Sequence, residues 1–142
     1  MTQPLIVVGA LSERAPGEHR VSVTPHSIAR LTAHGVRVMV EAGAGTGSWI
    51  SDAAYETPGA EIGSASKIID TADAITCVGR PPAEFVASMR PGQFLVGLLH
   101  TATDSDLVRS MTAQSVVGLV RRCRTVSGAA SLSNQNPRRL TG

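Results

Sequence analysis

Three groups of residues in this 142-residue chain are of types that do chemistry. The first is Arg14, Glu18, His19 and Arg20, in a polar stretch that follows an apolar run. The second is Cys77-Val78-Gly79-Arg80, and the third is His100. An arginine can grip a carboxylate or phosphate with two parallel N–H donors. A histidine at a strand end is placed for acid–base work. Each residue also has a plainer reading. Arg20 could, with equal weight, pair with Glu18 or cap a strand. A lone His100 is more often half-buried and bonded to backbone. Cys77 near a buried strand is more often a small core hydrophobe than a nucleophile. No Cys–His spacing suits a metal, and four scattered histidines make no metal site.

The elements around these residues set where they sit. Residues 5–8, Leu-Ile-Val-Val, form a β-branched run that predicts a buried strand. Thr24 and Pro25 supply an N-cap and an N1 proline, and Gly35 a stop, so the pattern predicts a helix over 25–34. Alternating Val36, Val38 and Val40 predict the next strand. Ser51 or Asp52 opens a short helix that Pro58-Gly59 closes, and 65–71 reads as helical. A strand over 74–78, a helix over 82–89 and a strand over 94–99 follow. Thr103, Asp104 and Asp106 fall in a first helical turn, where the dipole favours acids. Leu107 and Met111 face the core from that helix, and 115–120 is a last strand.

Apolar strands alternating with short helices imply an α/β fold with a sheet covered on both faces. The first 120 residues therefore read as an open, doubly wound, mostly parallel sheet, Rossmann-like or flavodoxin-like. In such sheets ligands bind outside the carboxyl ends of the strands, where all three groups fall. The glycine run Gly43-Ala44-Gly45-Thr46-Gly47 follows a strand, but position 48 is Ser and position 50 is Ile. It fails the Gly-x-Gly-x-x-Gly/Ala dinucleotide pattern in both registers and reads as a plain turn.

Composition narrows the classes further. The length fits one α/β domain and leaves no room for a second full cofactor domain. No stretch approaches a membrane helix, and Met1-Thr2-Gln3-Pro4 lacks the basic start of a signal peptide. Two cysteines, Cys77 and Cys123, make no disulfide framework, so the expected location is the cytoplasm. The net charge of +2 conceals a split. Residues 1–120 hold eight cations against all eleven acids, and residues 121–142 hold five arginines and no acid. That basic tail has no aromatic residue to stack bases and no continuous basic run, so nucleic acid is not the favoured partner. Periodicity also ends at Val120, and 121–142 read as irregular coil.

Several blocks, in order, resemble the N-terminal domain shared by alanine dehydrogenases and the alpha subunit of proton-translocating NAD(P) transhydrogenases. They are Glu18-His19-Arg20-Val21-Ser22-Val23-Thr24-Pro25, His34-Gly35-Val36, Val40-Glu41-Ala42-Gly43-Ala44-Gly45, Ser51-Asp52-Ala53-Ala54-Tyr55 and Gly59-Ala60. Ala72-Asp73, Arg80-Pro81-Pro82, Arg90-Pro91-Gly92-Gln93 and Gly97-Leu98-Leu99-His100 continue the series. Together they cover about residues 5–120.

The resemblance implies a doubly wound domain beside a separate Rossmann domain that binds NAD(H), which is expected to be absent from this chain. It implies no metal. It implies that Arg20 corresponds to an arginine holding a substrate carboxylate in alanine dehydrogenases, and His100 to a histidine contacting the substrate carbonyl. The family's carbonyl-contacting lysine is expected at Cys77, where a thiol supplies no cation. That departure favours the transhydrogenase branch, with Arg20, Cys77, Arg80 and His100 lining the cleft. That branch's Arg-x-x-x-x-Gln-x-x-Asp loop aligns Arg124 with its arginine, a candidate cofactor contact. With one residue inserted, Ala130 and Ser133 stand at the Gln and Asp positions. The expectation is a domain over 1–120 joined to an aberrant, out-of-frame end over 121–142. The chain would be an N-terminal transhydrogenase fragment, inactive alone. The alternatives are a piece of an alanine dehydrogenase and a non-enzymatic remnant or interaction domain. Implied partners are a second copy or other transhydrogenase subunits, with membrane contact only through them.

Overall fold

The computed structural model describes residues 5–99 and 103–120. Its elements are β1 (Val7–Ala10), α1 (Pro25–Ala33), β2 (Arg37–Glu41), α2 (Asp52–Glu56), β3 (Glu61–Gly63), α3 (Ala65–Thr71), β4 (Ala74–Thr76), α4 (Ala83–Ser88), β5 (Phe94–Gly97), α5 (Ser105–Ala113) and β6 (Val117–Val120). All six strands are parallel, in the order β3-β2-β1-β4-β5-β6. This is the Rossmann order, which decides against the flavodoxin order. The strand sequence reverses direction between β1 and β4, opening a crevice at their carboxyl ends.

Helix starts follow the side chains that can cap them. The Thr24 hydroxyl accepts the Ser27 N–H at 3.2 Å while Ser27 Oγ accepts the Thr24 N–H at 2.8 Å, a reciprocal capping box before Pro25. Ser51, Ser64 and Asp104 cap α2, α3 and α5 in the same sense, accepting from Ala54, Lys67 and Leu107. Asp104 is therefore the cap itself and not part of the first turn, and Thr103 stands before it.

The register divides the sheet into two faces. Gly9, Met39, Ile75, Leu95 and Gly118 share one face. There Met39, Ile75 and Leu95 pack with Ile68 and Ile69 of α3, Val86 of α4, and Leu107 and Met111 of α5. A Cβ on Gly9 would lie 2.3 Å from Ile68 Cγ2, so glycine is what lets α3 settle on β1. On the other face, Ala10, Val38 and Val40 pack with Ile28 of α1 and Tyr55 of α2. The same face continues across β5 and β6 through Phe94, Val96, Val117 and Leu119. No helix among the described residues covers it, and Phe94, Val117 and Leu119 stand 40–50% exposed.

Three expectations need correction. β3 was not legible: Ile62 is its one large apolar residue, and pairing with β2 makes it a strand. β1 begins at Val7, two residues later than expected, and Leu5 and Ile6 are exposed. β4 ends at Thr76, because the next N–H groups on its β1 side turn to a side chain described below. The irregular tail, and with it Arg124, lies outside the described residues, as does His100.

Candidate functional site

The crevice between β1 and β4 is closed by the chain's own groups. The Glu13 carboxylate accepts the backbone N–H of Val78, and also that of Gly79 at 3.2 Å. One residue on, the Arg14 guanidinium pairs with Glu41 at the end of β2 and lies 5.4 Å from the centre of the Phe85 ring. Glu41 also accepts the Ser12 N–H at 2.7 Å. The segment 12–14 is thus tied to β2 on one side and to the β4 end on the other.

Cys77 lies under this bridge. Its Sγ–H points to the Val96 carbonyl at 3.7 Å. Burial, and then the charge of Glu13, push the thiol up to about 12. It is neutral near pH 7 and no nucleophile, which is the core-hydrophobe reading. Arg80 pairs with Asp104, the cap of α5, and so ties the β4 loop to that helix. Arg80 and Cys77 line one pocket with Glu13, Arg14 and Phe85.

Arg20 sits elsewhere. Its Nε and Nη2 donate to Glu18 at 2.9 and 2.7 Å, and its backbone N–H donates to the same carboxylate at 2.9 Å. This pairing holds the Glu18 carboxyl down at about 2. The loop is fixed on both sides of Arg20. The His19 carbonyl accepts from Ser48, and Ser22 Oγ meets Thr76 Oγ1 at 2.9 Å. Arg20 lines a second, narrow pocket with Leu11, Val23, Val40 and Tyr55. Leu11 lines both pockets, so they flank the end of β1. Cys77 and Arg80 thus line the first pocket and Arg20 the second.

The glycine run is a turn ending in a 3-10 segment, Thr46–Ser48. A Cβ on Gly45 would meet the Ile50 carbonyl oxygen at 2.5 Å and Tyr55 Cε2 at 2.7 Å. Packing therefore accounts for that glycine. Glu13, Glu41, Phe85 and Asp104 escaped the reading of the sequence as site residues. Their partners are distant in the chain, and an acid in a polar loop gives no local sign of what it will accept.

A dinucleotide would need a glycine turn running from β1 straight into a helix whose N–H groups face the pyrophosphate. Here Leu11-Ser12-Glu13-Arg14 follows β1, and α1 starts only at Pro25. The Glu13 carboxylate also holds the Val78 and Gly79 N–H groups at the β4 end. The switch point of this chain does not fit NAD(H). Among the described residues no cluster of three His, Cys, Asp or Glu side chains could hold a metal, and no helix is long and apolar enough to cross a membrane.

A family model described as "Alanine dehydrogenase/PNT, N-terminal domain" matches residues 9–121. The chain belongs to this family. Among relatives of this N-terminal domain, the alanine dehydrogenase of Bacillus subtilis is 33% identical over 93% of this chain and 34% of its own length. That of Mycobacterium tuberculosis is 40% identical over 88% of this chain and 34% of its own length. A transhydrogenase structure from Sinorhizobium meliloti superposes with a TM-score of 0.76 at 32% identity, over 80% of this chain and 34% of that one. An L-alanine dehydrogenase structure gives 0.77 at 25% identity, over 81% and 32%. The chain thus spans about a third of the length of these alanine dehydrogenase/PNT relatives.

Proposed function

We propose that this chain is the first domain of an NAD(P) transhydrogenase alpha subunit, forming one wall of an NAD(H) cleft whose nucleotide is held by another domain. The observation that carries this reading is the end of β4. Cys77-Val78-Gly79 offers no ammonium group to polarise a substrate carbonyl. The Cys77 thiol is neutral, and the neighbouring N–H groups are committed to Glu13. A transhydrogenase passes hydride between two nucleotides and needs no amino-acid site there. Hydride transfer demands placement to fractions of an ångström, so the chain alone is inactive. Pairing with a second copy or with other transhydrogenase subunits, a cytoplasmic location, and membrane contact only through those subunits belong to the same proposal.

A second reading, an alanine dehydrogenase domain, draws on relatives of that name at 33–40% identity and on the presence of Arg20. The two separate once a dinucleotide-binding partner domain is supplied. Expected is hydride transfer from NADH to NADP⁺, indifferent to alanine and pyruvate. NAD⁺ reduction that depends on alanine would replace the first reading by the second. The DNA beyond codon 120 tests the frameshift: another frame there should encode a Gln–Asp loop and a Gly-x-Gly-x-x-Gly turn. If no frame does, the frameshift idea is wrong.

A further inference from the structure

We propose that the bare half of the sheet, over β4, β5 and β6, is a slot for one α-helix of another polypeptide, apolar on the face it lays down and acidic on the flank toward α1. The floor of the slot follows from the strand register. Val8, Ala74, Phe94 and Val117 stand in one row across β1, β4, β5 and β6. Ala10, Thr76, Val96 and Leu119 stand in the next. Over β1 and β2 this face is covered by Ile28 and Tyr55, whereas Phe94, Val117 and Leu119 stay half-exposed. A parallel sheet keeps its apolar strands between two layers of helices. The helices α3, α4 and α5 all pack on the opposite face. Among the described residues, the layer on this face therefore stops at α1.

Size and charge define the occupant. From β4 to β6 is two inter-strand spacings, about 10 Å. An α-helix with its side chains is about 10–12 Å across. One wall is α1. Its Thr32 Oγ1 lies 3.2 Å from the Pro58 carbonyl oxygen, which marks the flank toward α2. Leu31 and His34 lie on the other flank by helical periodicity, and line an open groove with Ser22, Val23, Ser27 and Arg30. Ser22 Oγ meets Thr76 Oγ1 of β4 at 2.9 Å, so this groove opens onto the floor. Leu31 carries the apolar surface up the wall, and Arg30 and His34 make its rim basic. A helix with leucines at i, i+3, i+4 and i+7 and glutamates on one flank matches floor, wall and rim. A second copy fits less well, because three half-exposed side chains fall far short of the roughly 800 Å² per partner of a standard interface. Residues 121–142 carry five arginines and no acid, the wrong sign for that rim. This inference goes beyond the transhydrogenase reading and does not depend on it, since an alanine dehydrogenase domain with this sheet would present the same slot.

The test titrates a synthetic helical peptide of about 16 residues, with that leucine stripe and glutamates on one flank, into the ¹⁵N-labelled full chain. Backbone amide signals are followed. Expected are saturable shifts at Phe94, Val117, Leu119, Leu31 and His34. L119E should weaken binding about tenfold, and V117S should weaken it by a smaller factor. Both sites are half-exposed, and the remaining amide signals report that the fold is kept. The same peptide with lysine in place of glutamate should bind about threefold more weakly. Absence of saturable shifts at these residues overturns the proposal. So does unchanged affinity in both variants, or equal binding of the lysine peptide. Shifts at Val117 and Leu119 that grow with protein concentration alone make a second copy the occupant and overturn it too. Shifts of residues 125–142 that accompany peptide binding do the same in favour of the basic tail. No nucleotide or hydride-transfer assay enters, so this inference and the transhydrogenase reading can fail separately.

Discussion

Replacing Glu13 by alanine should loosen the junction at the centre of the sheet. The carboxylate accepts two backbone N–H groups, from Val78 and Gly79, in a partly buried position. Those donors have no ladder partner on that side, because β4 has already ended at Thr76. A hydrogen bond to a charged group contributes about 1.5–3 kcal/mol, and an unmatched N–H adds cost when water cannot reach it. Loss of both, with water partly replacing the acid, gives an expected destabilisation of about 2–4 kcal/mol. Small domains lose about 1–3 kcal/mol of stability per molar urea. The unfolding midpoint should therefore fall by about 1–2 M, with an unchanged slope. Equilibrium urea unfolding followed by circular dichroism measures this directly. E13Q should fall between the two, since its amide oxygen can accept one N–H while its NH₂ group opposes the other. A midpoint for E13A within about 0.3 M of the unaltered chain would refute the reasoning, since it would mean that solvent already satisfies both donors.

Three further predictions follow from the same geometry. The Cys77 thiol, pushed up from 9.0 to about 12, keeps its proton in the fold where the unfolded chain loses it. Stability linked to it is full below pH 9 and is lost as pH rises toward 12, and in a C123S background an aromatic disulfide reagent at pH 8 should react far more slowly with the folded chain than in urea. Gly45→Ala would drive a methyl group to 2.5 Å from the Ile50 carbonyl oxygen and 2.7 Å from Tyr55. It should cost about 1–3 kcal/mol by thermal unfolding. Gln93 is buried and donates to the carbonyls of Ile69 and Ala72 at 2.6 and 2.7 Å while accepting the Arg90 N–H at 2.6 Å. Gln93→Leu strands the Ile69 carbonyl and the Arg90 N–H, while the Ala72 carbonyl keeps its second donor, Arg90 Nη2 at 3.0 Å, and should cost about 2–4 kcal/mol, read as a lowered urea midpoint.

Most of the fold could be read before the structure, and the reason is physical. α1, α2 and α3 each begin at a hydroxyl residue whose role is local, three residues from the N–H it accepts, so sequence spacing carries it. β2 and β5 show their apolar character in a few consecutive residues. β3 escaped because its strand state comes from hydrogen bonds to β2 and not from Glu61-Ile62-Gly63 itself. The site was legible only in part. Arg20 with Glu18 is a contact between neighbours and could be weighed as an ion pair in advance. Glu13 with Val78, and Arg80 with Asp104, join residues 65 and 24 positions apart, and nothing local marks them. Cys77 was readable as a core residue, but the acid that faces it was not.

The place of β1 in the sheet has a consequence for how the chain comes together. β1, which precedes the other five described strands in the chain, is an interior one, flanked by β2 and by β4. The half containing β1, α1 and β2 can assemble from sequence-near contacts. The second flank of β1 must wait for residues 74–76, and each later strand then adds to the one before it, β5 to β4 and β6 to β5. Non-local parallel pairing is slow because loop closure precedes the reward. During synthesis the open side of β1 would stand bare until residues 74–76 have left the ribosome, and the Glu13 carboxylate lacks its Val78 and Gly79 donors until they arrive. That acid on the flank of β1 puts a charge beside an exposed strand edge during the interval, which is how natural sequences discourage pairing with the wrong neighbour.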